Sequence, residues 1–386
     1  MSFRRLEDAD VAGKTAIVRV DFNVPRDEHG GVADDTRLRA AVPTIRHLRD
    51  HGAKIVLLSH FGRPKGEADP DLSLHFLQGN LSNLLGEAVG FGEGSDANIV
   101  LLENTRFEPG ETQGDAELTK RWASLGDLFV LDAFSSAHRA HSSVTGIAAH
   151  LPAYAGLGME RELDHIARAL DHPATPVMAI VGGAKVSTKI GVLEHLVQKL
   201  DTLVIGGGMA NTFLAAQGHP VGKSLQEADF HAKAKDILSA ANAAGCTVVL
   251  PRDVVVADRF EANADTRVAA LDDVAPHEMI LDAGPDTVEA VMDAMESSRT
   301  LVWNGPLGAF ETPPFETSTV ECAKYAARLT TSGKLVSVAG GGDTVSALAM
   351  AGVVEDFTFV STAGGAFLEW MEGRELPGVE ILRETA

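Results

Sequence analysis

The chain of 386 residues has few cysteines and no long uninterrupted apolar run. Its two cysteines, Cys246 and Cys322, cannot form a disulfide framework, and this favours a reducing compartment. No segment approaches the roughly 18 consecutive apolar residues of a membrane span. Residues 1–10 lack the apolar core of a secretory signal. We therefore expect a cytoplasmic protein with no membrane contact.

Basic side chains are also in short supply. The chain has 33 Lys and Arg against 54 Asp and Glu, which gives a formal charge of −21. A protein that coats nucleic acid needs a basic surface against the phosphates, so this charge predicts no nucleic-acid partner. The apolar share of 45% is that of an ordinary globular protein and argues against disorder.

Short apolar runs alternate with helix-length amphipathic segments along the whole chain. Strands that are apolar throughout and separated by helices are typical of parallel sheets covered on both faces. We therefore predict an α/β fold of two lobes, each a parallel sheet with helices on both faces, Rossmann-like in architecture. The predicted strands are residues 15–20, 54–59, 99–102, 128–131, 177–181, 202–205, 247–250, 299–303, 334–338 and 358–361.

A helical segment bracketed by prolines divides the chain near its middle. Residues 156–170 have the pattern of a charged helix, and Pro173 and Pro176 precede the next strand. Such a segment between two sets of strands and helices indicates a rigid connector. The predicted domains are residues 1–155, a connector helix at 156–172, and residues 173–360. Residues 361–386 form a last helix and tail.

In the first half, polar side chains follow four predicted strands. Ligands of open α/β sheets bind beyond the carboxyl ends of the strands. Arginine pairs with carboxylate and phosphate groups through two parallel hydrogen bonds, so an arginine cluster there favours a small, highly anionic metabolite. The candidate residues at these strand ends and at one helix start are Asp21, Asn23, Arg37, His60, Arg63, Arg106 and Arg139.

In the second half, glycines follow the strands and precede helices. They occur at residues 182–183, 206–208, 340–342 and 364–365, and Lys185 and Lys189 follow the first pair. Glycine lets backbone amides approach phosphate oxygens at a helix N-terminus, so several such turns on one sheet edge indicate a nucleotide site. Residues 218–224 are one residue short of the P-loop spacing and do not follow a strand, which excludes that motif.

Seven segments, in order along the chain, resemble phosphoglycerate kinase. They are residues 18–25, 59–64, 102–107, 137–143, 182–186, 303–306 and 340–344. The resemblance covers essentially the whole chain. Ser135-Ser136 stand where the family usually has Gly-Thr, Ala363 replaces a glycine, and residues 159–165 differ from the usual connector helix. None of these departures touches a charged ligand contact.

The resemblance implies a monomeric two-lobed kinase of glycolysis that moves a phosphoryl group between 1,3-bisphosphoglycerate and ADP, giving 3-phosphoglycerate and ATP, with Mg²⁺ and hinge closure. By motif, it implies that Lys185 and Arg37 flank the transferring group and that residues 377–386 return to the first lobe. It assigns the acid substrate to Asp21, Asn23, Arg37, His60, Arg63, Arg106 and Arg139. It assigns the nucleotide to Lys189, Asn304, Glu311, Gly341, Gly342, Asp343 and Thr344, with Asp343 nearest the metal.

Two other classes of protein share a two-lobed α/β architecture. A nicotinamide-dependent dehydrogenase needs an ordered glycine fingerprint with an acidic residue about 20 positions further on, and neither occurs in register here. A two-lobed solute-binding protein has no use for phosphate sites at residues 185–189 and 340–343. Both alternatives are therefore disfavoured.

Overall fold

The computed structural model describes residues 2–170 and 172–384. The chain forms two compact units. The first contains the residues up to Asp164 together with those from Glu375 onward, and the second extends from His165 to Arg374. Asp171 of the predicted connector and the last two residues of the predicted tail lie outside the described residues.

The first unit contains a six-stranded parallel sheet with the strand order β3-β4-β2-β1-β5-β6. Its strands are β1 (Thr15–Val20), β2 (Lys54–Leu58), β3 (Val89–Phe91), β4 (Ile99–Leu101), β5 (Leu128–Asp132) and β6 (Ala153–Ala155). Its helices are α1 (Thr36–Asp50), α2 (Gln78–Leu85), α3 (Ala116–Ala123) and α4 (Leu157–Leu170), the last of which contains the boundary between the units. Side chains on both faces of β1 are buried, as expected for a central parallel strand.

Strand β1 lies at the point where the order of this sheet reverses, since it pairs with β2 on one side and with β5 on the other. A crevice forms at such a switch point, beyond the carboxyl ends of the strands, and ligands of open α/β sheets bind there. The segments that follow β1, β2, β4 and β5 all begin at this edge.

The C-terminal segment pairs with the first strand-like residues of the same unit. Phe3 bridges Arg383 in antiparallel fashion, and the Arg4 amide donates to the Leu382 carbonyl at 2.8 Å. The Gly378 amide donates to the Ala137 carbonyl, also at 2.8 Å. The chain end thus packs directly behind the loop that follows β5.

The start of helix α4 is held by a buried carboxylate at the end of β5. Asp132 Oδ1 accepts a hydrogen bond from the Met159 amide at 2.9 Å. Burial raises the pKa of Asp132 from 3.8 to about 6. The folded protein therefore binds this proton more tightly than the unfolded chain does. The resulting stabilisation is complete below about pH 4 and is lost as the pH rises through about 6.

Replacing Asp132 by asparagine is expected to remove this pH dependence, because the amide keeps the acceptor oxygen and cannot ionise. The free energy of unfolding of the variant relative to the wild type should rise by up to about 3 kcal/mol between pH 4 and pH 7. Urea denaturation at both pH values measures the difference. The exposed Asp96→Asn serves as the matched control, and a difference that is the same at both pH values would contradict the assignment.

The second unit contains a six-stranded parallel sheet with the order β15-β14-β13-β7-β8-β9 and a three-stranded antiparallel sheet with the order β11-β10-β12. Its strands are β7 (Val177–Val181), β8 (Thr202–Ile205), β9 (Thr247–Val249), β10 (Asp253–Ala257), β11 (Thr266–Ala270), β12 (Met279–Ala283), β13 (Thr300–Asn304), β14 (Val336–Gly340) and β15 (Phe359–Ser361). Its helices are α5 (Ile190–Leu196), α6 (Gly207–Gln217), α7 (His231–Ala244), α8 (Pro285–Glu296), α9 (Thr317–Thr331), α10 (Gly342–Ala351) and α11 (Gly364–Met371), while α12 (Pro377–Glu380) belongs to the first unit. The parallel sheet reverses its order between β7 and β13, which places a second ligand-binding edge there.

The predicted fold class is confirmed, with differences in detail. All ten predicted strands form, although several of their bounds differ from the prediction. For example, the strand predicted at residues 334–338 lies two residues later, at Val336–Gly340. The short strands β3 and β6 and the antiparallel sheet are additional. Four of the five residues of β11 are exposed, so that strand lacks the apolar run on which the prediction depended.

Candidate active site

Asp21, directly after β1, is the polar centre of the first sheet edge. Its Oδ2 accepts hydrogen bonds from Arg37 Nη1 at 2.7 Å and from the Ser135 hydroxyl at 2.6 Å. The backbone N–H of Asn23 donates to Asp21 Oδ1 at 3.1 Å. Burial opposes the charged form, but the Arg37 charge and these hydrogen bonds outweigh it and lower the pKa of Asp21. The carboxylate is therefore ionised and able to accept a hydrogen bond from a ligand hydroxyl.

Asn23 and Arg106 both hold the turn that follows β2. The Gly62 amide donates to Asn23 Oδ1 at 2.9 Å, and Arg106 Nη1 donates to the Gly62 carbonyl. Gly62 has a φ of +59°, in the left-handed region that favours glycine. Arg63, the next residue, is exposed. The turn therefore presents the Arg63 side chain to solvent beside the half-buried groups of the edge.

Several arginines lie close enough to repel one another. Burial, followed by the charges of Arg139 and Arg19, lowers the pKa of Arg106 to about 10. Burial and the Arg139 charge also lower the pKa of His141, to about 4. This shift keeps that imidazole neutral at pH 7. A cluster of like charges in a partly buried crevice is unfavourable by itself, and a bound polyanion would offset that repulsion.

The structure brings together all seven residues predicted for the acid substrate, through direct contacts or mutual electrostatic interaction. They are Asp21, Asn23, Arg37, His60, Arg63, Arg106 and Arg139. Arg63 belongs to the group through its charge, which helps to lower the pKa of Arg106. Sequence reasoning missed the buried Arg19 and the buried Glu111. The prediction that the departures from the family pattern touch no charged ligand contact is wrong at Ser135, whose hydroxyl donates to Asp21. The signal that could have identified Arg19 is a charged residue inside the otherwise apolar strand Thr15–Val20.

In the second unit, Lys189 ties together the ends of β7 and β13. Its ammonium donates to the Gly182 carbonyl at 2.8 Å, to the Asn304 carbonyl at 3.0 Å and to Asn304 Oδ1. Burial lowers the pKa of Lys189 to about 8, and the Asp343 charge opposes that shift. Lys189 thus holds the switch point of the sheet together while it keeps a positive charge at pH 7.

The two strand ends approach so closely that only glycine fits. A Cβ at Gly182 would lie 1.9 Å from the Pro306 carbonyl oxygen, and one at Gly305 would lie 2.2 Å from the Gly182 carbonyl oxygen. Gly183 and Gly305 have φ values of +129° and +105°, which other residues rarely adopt. These glycines therefore allow the backbones at the ends of β7 and β13 to pack closely together.

Helix α10 presents its N-terminus at the same edge. The Thr344 hydroxyl accepts a hydrogen bond from the Gly305 amide at 2.7 Å, and Asn304 Nδ2 donates to the Gly340 carbonyl at 2.8 Å. A Cβ at Gly341, whose φ is +98°, would lie 2.8 Å from Asn304 Nδ2. These bonds fix the first turn of a helix whose free amides favour anions.

A cleft of about 540 Å³ opens beside this turn, and most of its lining is apolar. Leu225 and Phe260, which line it, are 51% and 57% exposed. Exposed apolar side chains around a cleft of this size are typical of a ligand site. Glu311 and Asp343 also line the cleft and supply carboxylates. The cleft suits a flat, largely apolar ring with polar groups at its margin.

Lys185 lies in the turn after β7 and is exposed. The turn is held by Glu227, which accepts hydrogen bonds from the Ser187 amide at 2.9 Å and from the Ser187 hydroxyl at 2.6 Å. Glu227 also interacts electrostatically with Lys185. The backbone beneath Lys185 is therefore fixed while its ammonium stays on the surface.

Helices of the described part of the chain are all too short or too polar to cross a membrane. Within residues 2–170 and 172–384, one group of three residues, Asp258, His277 and Glu278, lies close enough to share a metal ion. Glu278 is already paired with Arg267 Nη2 at 2.7 Å, and the group does not include Asp343.

Two parallel sheets, one with an arginine-lined edge and the other with a glycine-lined edge and an apolar cleft, define a two-unit α/β enzyme of the phosphotransferase class. A family model described as phosphoglycerate kinase matches residues 6–374. The chain belongs to the phosphoglycerate kinase family.

Individual relatives agree with this membership. The chain is 57% identical to phosphoglycerate kinase of Maricaulis maris, covering 99% of this chain and 98% of the relative. It is 58% identical to that of Rhizorhabdus wittichii, covering 99% and 100%. The solved structure of phosphoglycerate kinase from Coxiella burnetii superposes with a TM-score of 0.93 at 39% identity, covering 98% of each chain. These findings favour the kinase over the dehydrogenase and the solute-binding protein.

Proposed function

We propose that this chain catalyses the reversible transfer of a phosphoryl group from 1,3-bisphosphoglycerate to ADP, giving 3-phosphoglycerate and ATP. The observation that carries this proposal is the match to phosphoglycerate kinases over essentially the whole chain. The two sheet edges support it independently, since one suits a small polyanion and the other a nucleotide. The enzyme is an ATP-dependent kinase that acts on a carboxyl group.

The first unit binds the three-carbon acid in this proposal. Arg106 and Arg139 repel each other in the crevice, and an anionic ligand relieves that repulsion. The ionised Asp21 accepts a hydrogen bond from a ligand hydroxyl, while Arg37 pairs with a carboxylate. The residues that we assign to acid binding are Asp21, Asn23, Arg37, His60, Arg63, Arg106 and Arg139.

The second unit binds the nucleotide. We assign its base to the apolar cleft, with Glu311 at the margin. We assign its phosphates to the N-terminus of α10, at Gly341, Gly342 and Thr344. Lys189 supplies a fixed positive charge and holds Asn304 in place. The domain limits predicted from the sequence, 1–155, 156–172, 173–360 and 361–386, are retained as the proposed functional division.

The residues at this edge fit a Mg²⁺ ion. Asp343 is exposed in the first turn of α10, lines the cleft and interacts electrostatically with Lys189. Magnesium in such sites is held by one or two carboxylates together with substrate phosphates and water rather than by a full set of protein ligands. When bound, the ion would neutralise charge on the nucleotide phosphates. We assign Asp343 as its protein ligand.

Phosphoryl transfer needs alignment of the reactants and neutralisation of the moving oxygens more than covalent help from the protein. We assign that neutralisation to Arg37, which Asp21 orients, and to Lys185, whose ammonium lies on the surface. Both are catalytic residues in this proposal. Closure of the lobes, a monomeric state and a cytoplasmic location are retained as predictions, and solution scattering with each ligand singly and with both tests the first of them.

The direct test of the function is a coupled assay with purified protein. ATP-dependent phosphorylation of 3-phosphoglycerate is expected, with NAD giving neither activity nor thermal stabilisation. A protein that binds both ligands and turns over neither would contradict the proposal and favour a binding protein.

Asp343→Asn is expected to lower kcat/KM for Mg-ADP by roughly 10-fold or more, because the neutral amide is a poorer magnesium ligand. Binding of 3-phosphoglycerate, measured by calorimetry, should be unchanged. Asp286 provides a matched control, since it is also exposed in the first turn of a helix, α8. If Asp343→Asn and Asp286→Asn lower the melting temperature equally and leave kcat/KM intact, then Asp343 only stabilises its own helix, through its interaction with the helix dipole.

A further inference from the structure

Arg19 is the second-last residue of the central strand β1, and only 1% of it is exposed. Its guanidinium lies beneath the arginine-lined edge and makes specific hydrogen bonds there. Nε donates to the Ser143 hydroxyl at 3.0 Å, Nη1 donates to the Val20 carbonyl, and Nη2 lies 2.9 Å from His60 Nδ1. No role described so far uses this residue.

The contact with His60 determines the protonation state of that imidazole. A guanidinium has five N–H donors and no acceptor, and it stays protonated in proteins. His60 Nδ1 must therefore accept the hydrogen bond, which requires it to be without a proton. The proton of a neutral imidazole then lies on Nε2, the other ring nitrogen.

We propose that Arg19 is a positioning residue that holds His60 in the neutral form with its proton on Nε2, so that Nε2 donates a hydrogen bond to an anionic oxygen of the acid substrate. This inference rests on the proposed function, because it gives His60 a defined role in binding the acid. Arg19 itself does not need to touch the ligand.

The positive charges around His60 act in the same direction, and the Asp21 carboxylate opposes them. The charged groups that face His60 are Arg19 of β1, Asp21 after β1, Arg106 after β4 and Arg139 after β5. Burial, followed by the Arg19 charge, lowers the pKa of His60 to about 2. A cationic imidazole would add another positive charge to an already crowded edge. A neutral N–H donor instead adds a hydrogen bond to the ligand without adding repulsion.

Arg19 is itself fixed from behind by a buried carboxylate. Glu111, 1% exposed, accepts hydrogen bonds from the Ser143 amide at 2.9 Å and from the Ser143 hydroxyl. That hydroxyl is the acceptor of Arg19 Nε, so Ser143 links the two opposite charges. Among the charges near Arg19, the carboxylate of Glu111 does most to favour the protonated guanidinium. A buried guanidinium held in this way cannot rotate away from His60 without losing its charge partner.

The first experiment uses the unmodified protein. ¹⁵N NMR of histidine-labelled enzyme, with His60→Gln used to assign the signal, reports which ring nitrogen carries the proton. We expect an unprotonated Nδ1 and a protonated Nε2 for His60 at pH 7, and no titration between about pH 5 and 8. A proton on Nδ1, or a cationic ring, would overturn the inference without any activity measurement.

The second experiment tests the consequence for binding. Arg19→Met removes the donor with a side chain of similar length, and Arg19→Lys retains a positive donor. We expect Arg19→Met to raise KM for 3-phosphoglycerate by roughly 10-fold, to leave KM for ADP unchanged, and to bring the His60 titration toward its ordinary range. Arg19→Lys should recover part of each effect. Arg46→Met, a change in an exposed arginine of α1, is the matched control.

Some outcomes separate this inference from the proposed function. If Arg19→Met raises both KM values equally and does not change the His60 spectrum, Arg19 is only a structural residue of the core. If Arg19→Met does not fold, the spectrum of the unmodified protein still decides. An unmodified protein with the expected spectrum but no kinase activity would contradict the function and leave the state of His60 established.

Discussion

Replacing Lys185 by alanine is expected to lower kcat by roughly 100-fold or more, with smaller changes in both KM values. A contact made mainly in the transition state contributes to kcat, whereas a contact made equally in the ground state contributes to KM. A positive charge that meets the phosphoryl group during transfer belongs to the first kind.

The structure favours Lys185 over Lys189 for that role. Lys189 directs its ammonium at two carbonyl groups and the Asn304 side chain, so it is committed to the sheet. Lys185 is exposed, and its side chain interacts electrostatically with Glu227. The two hydrogen bonds from Ser187 to Glu227 hold the turn, so the side chain moves on a fixed base.

Steady-state kinetics with circular dichroism as a folding check measures the effect. Lys199→Ala, a change in another exposed lysine of the same unit, should leave kcat unchanged. Lys185→Arg should restore part of the rate because it keeps the charge. Near-normal kcat in Lys185→Ala would show that the assignment of the transfer site to this lysine is wrong.

Replacing Arg63 by alanine is expected to raise KM for 3-phosphoglycerate by roughly 10-fold or more and to change kcat much less. Hydrogen bonds to charged groups contribute about 1.5–3 kcal/mol each, and in this proposal Arg63 binds a part of the acid that does not react. The loss of a contact that is made equally in the ground state and the transition state raises KM and leaves kcat nearly unchanged.

The position of Arg63 supports a binding role. It follows Gly62, whose amide and carbonyl are bonded to Asn23 and Arg106, so the backbone of the turn is fixed at the edge of the crevice. Its charge acts on Arg106 and extends the positive cluster to the surface. Removing an exposed arginine should also cost little stability.

The comparison is between Arg63→Ala and Arg46→Ala, since Arg46 is also exposed but donates to the Leu84 carbonyl away from this edge. Only the first should change KM, and KM for ADP should stay constant in both. A loss of kcat at constant KM in Arg63→Ala would place the residue among the transition-state contacts and contradict the prediction.

The sequence predicted the parallel strands well because their burial leaves a direct mark. Strands β1 and β7 are buried on both faces, so β7 is a continuous apolar run and β1 is apolar apart from Thr15 and Arg19; both can be recognised without knowing their neighbours. The short strands β3 and β6 and the exposed strand β11 carry no such mark. They form because a partner strand lies beside them, and pairing is not visible in a single segment.

The sequence by itself determined the two sets of strands and helices, the segments of polar residues after the strands, and the glycines at which an added Cβ would lie within 3 Å of a neighbouring backbone atom. Side-chain pairing was decided by the tertiary structure. Arg19 pairs in register with Leu58 and Leu131, and that register, together with the loops after β2 and β5, places its guanidinium against His60 and Ser143. The same holds for Lys189, whose ammonium joins residues more than a hundred positions apart. Residue type and local spacing state what a side chain can do, but its partners depend on which strands lie side by side, and that is settled only when the whole sheet forms.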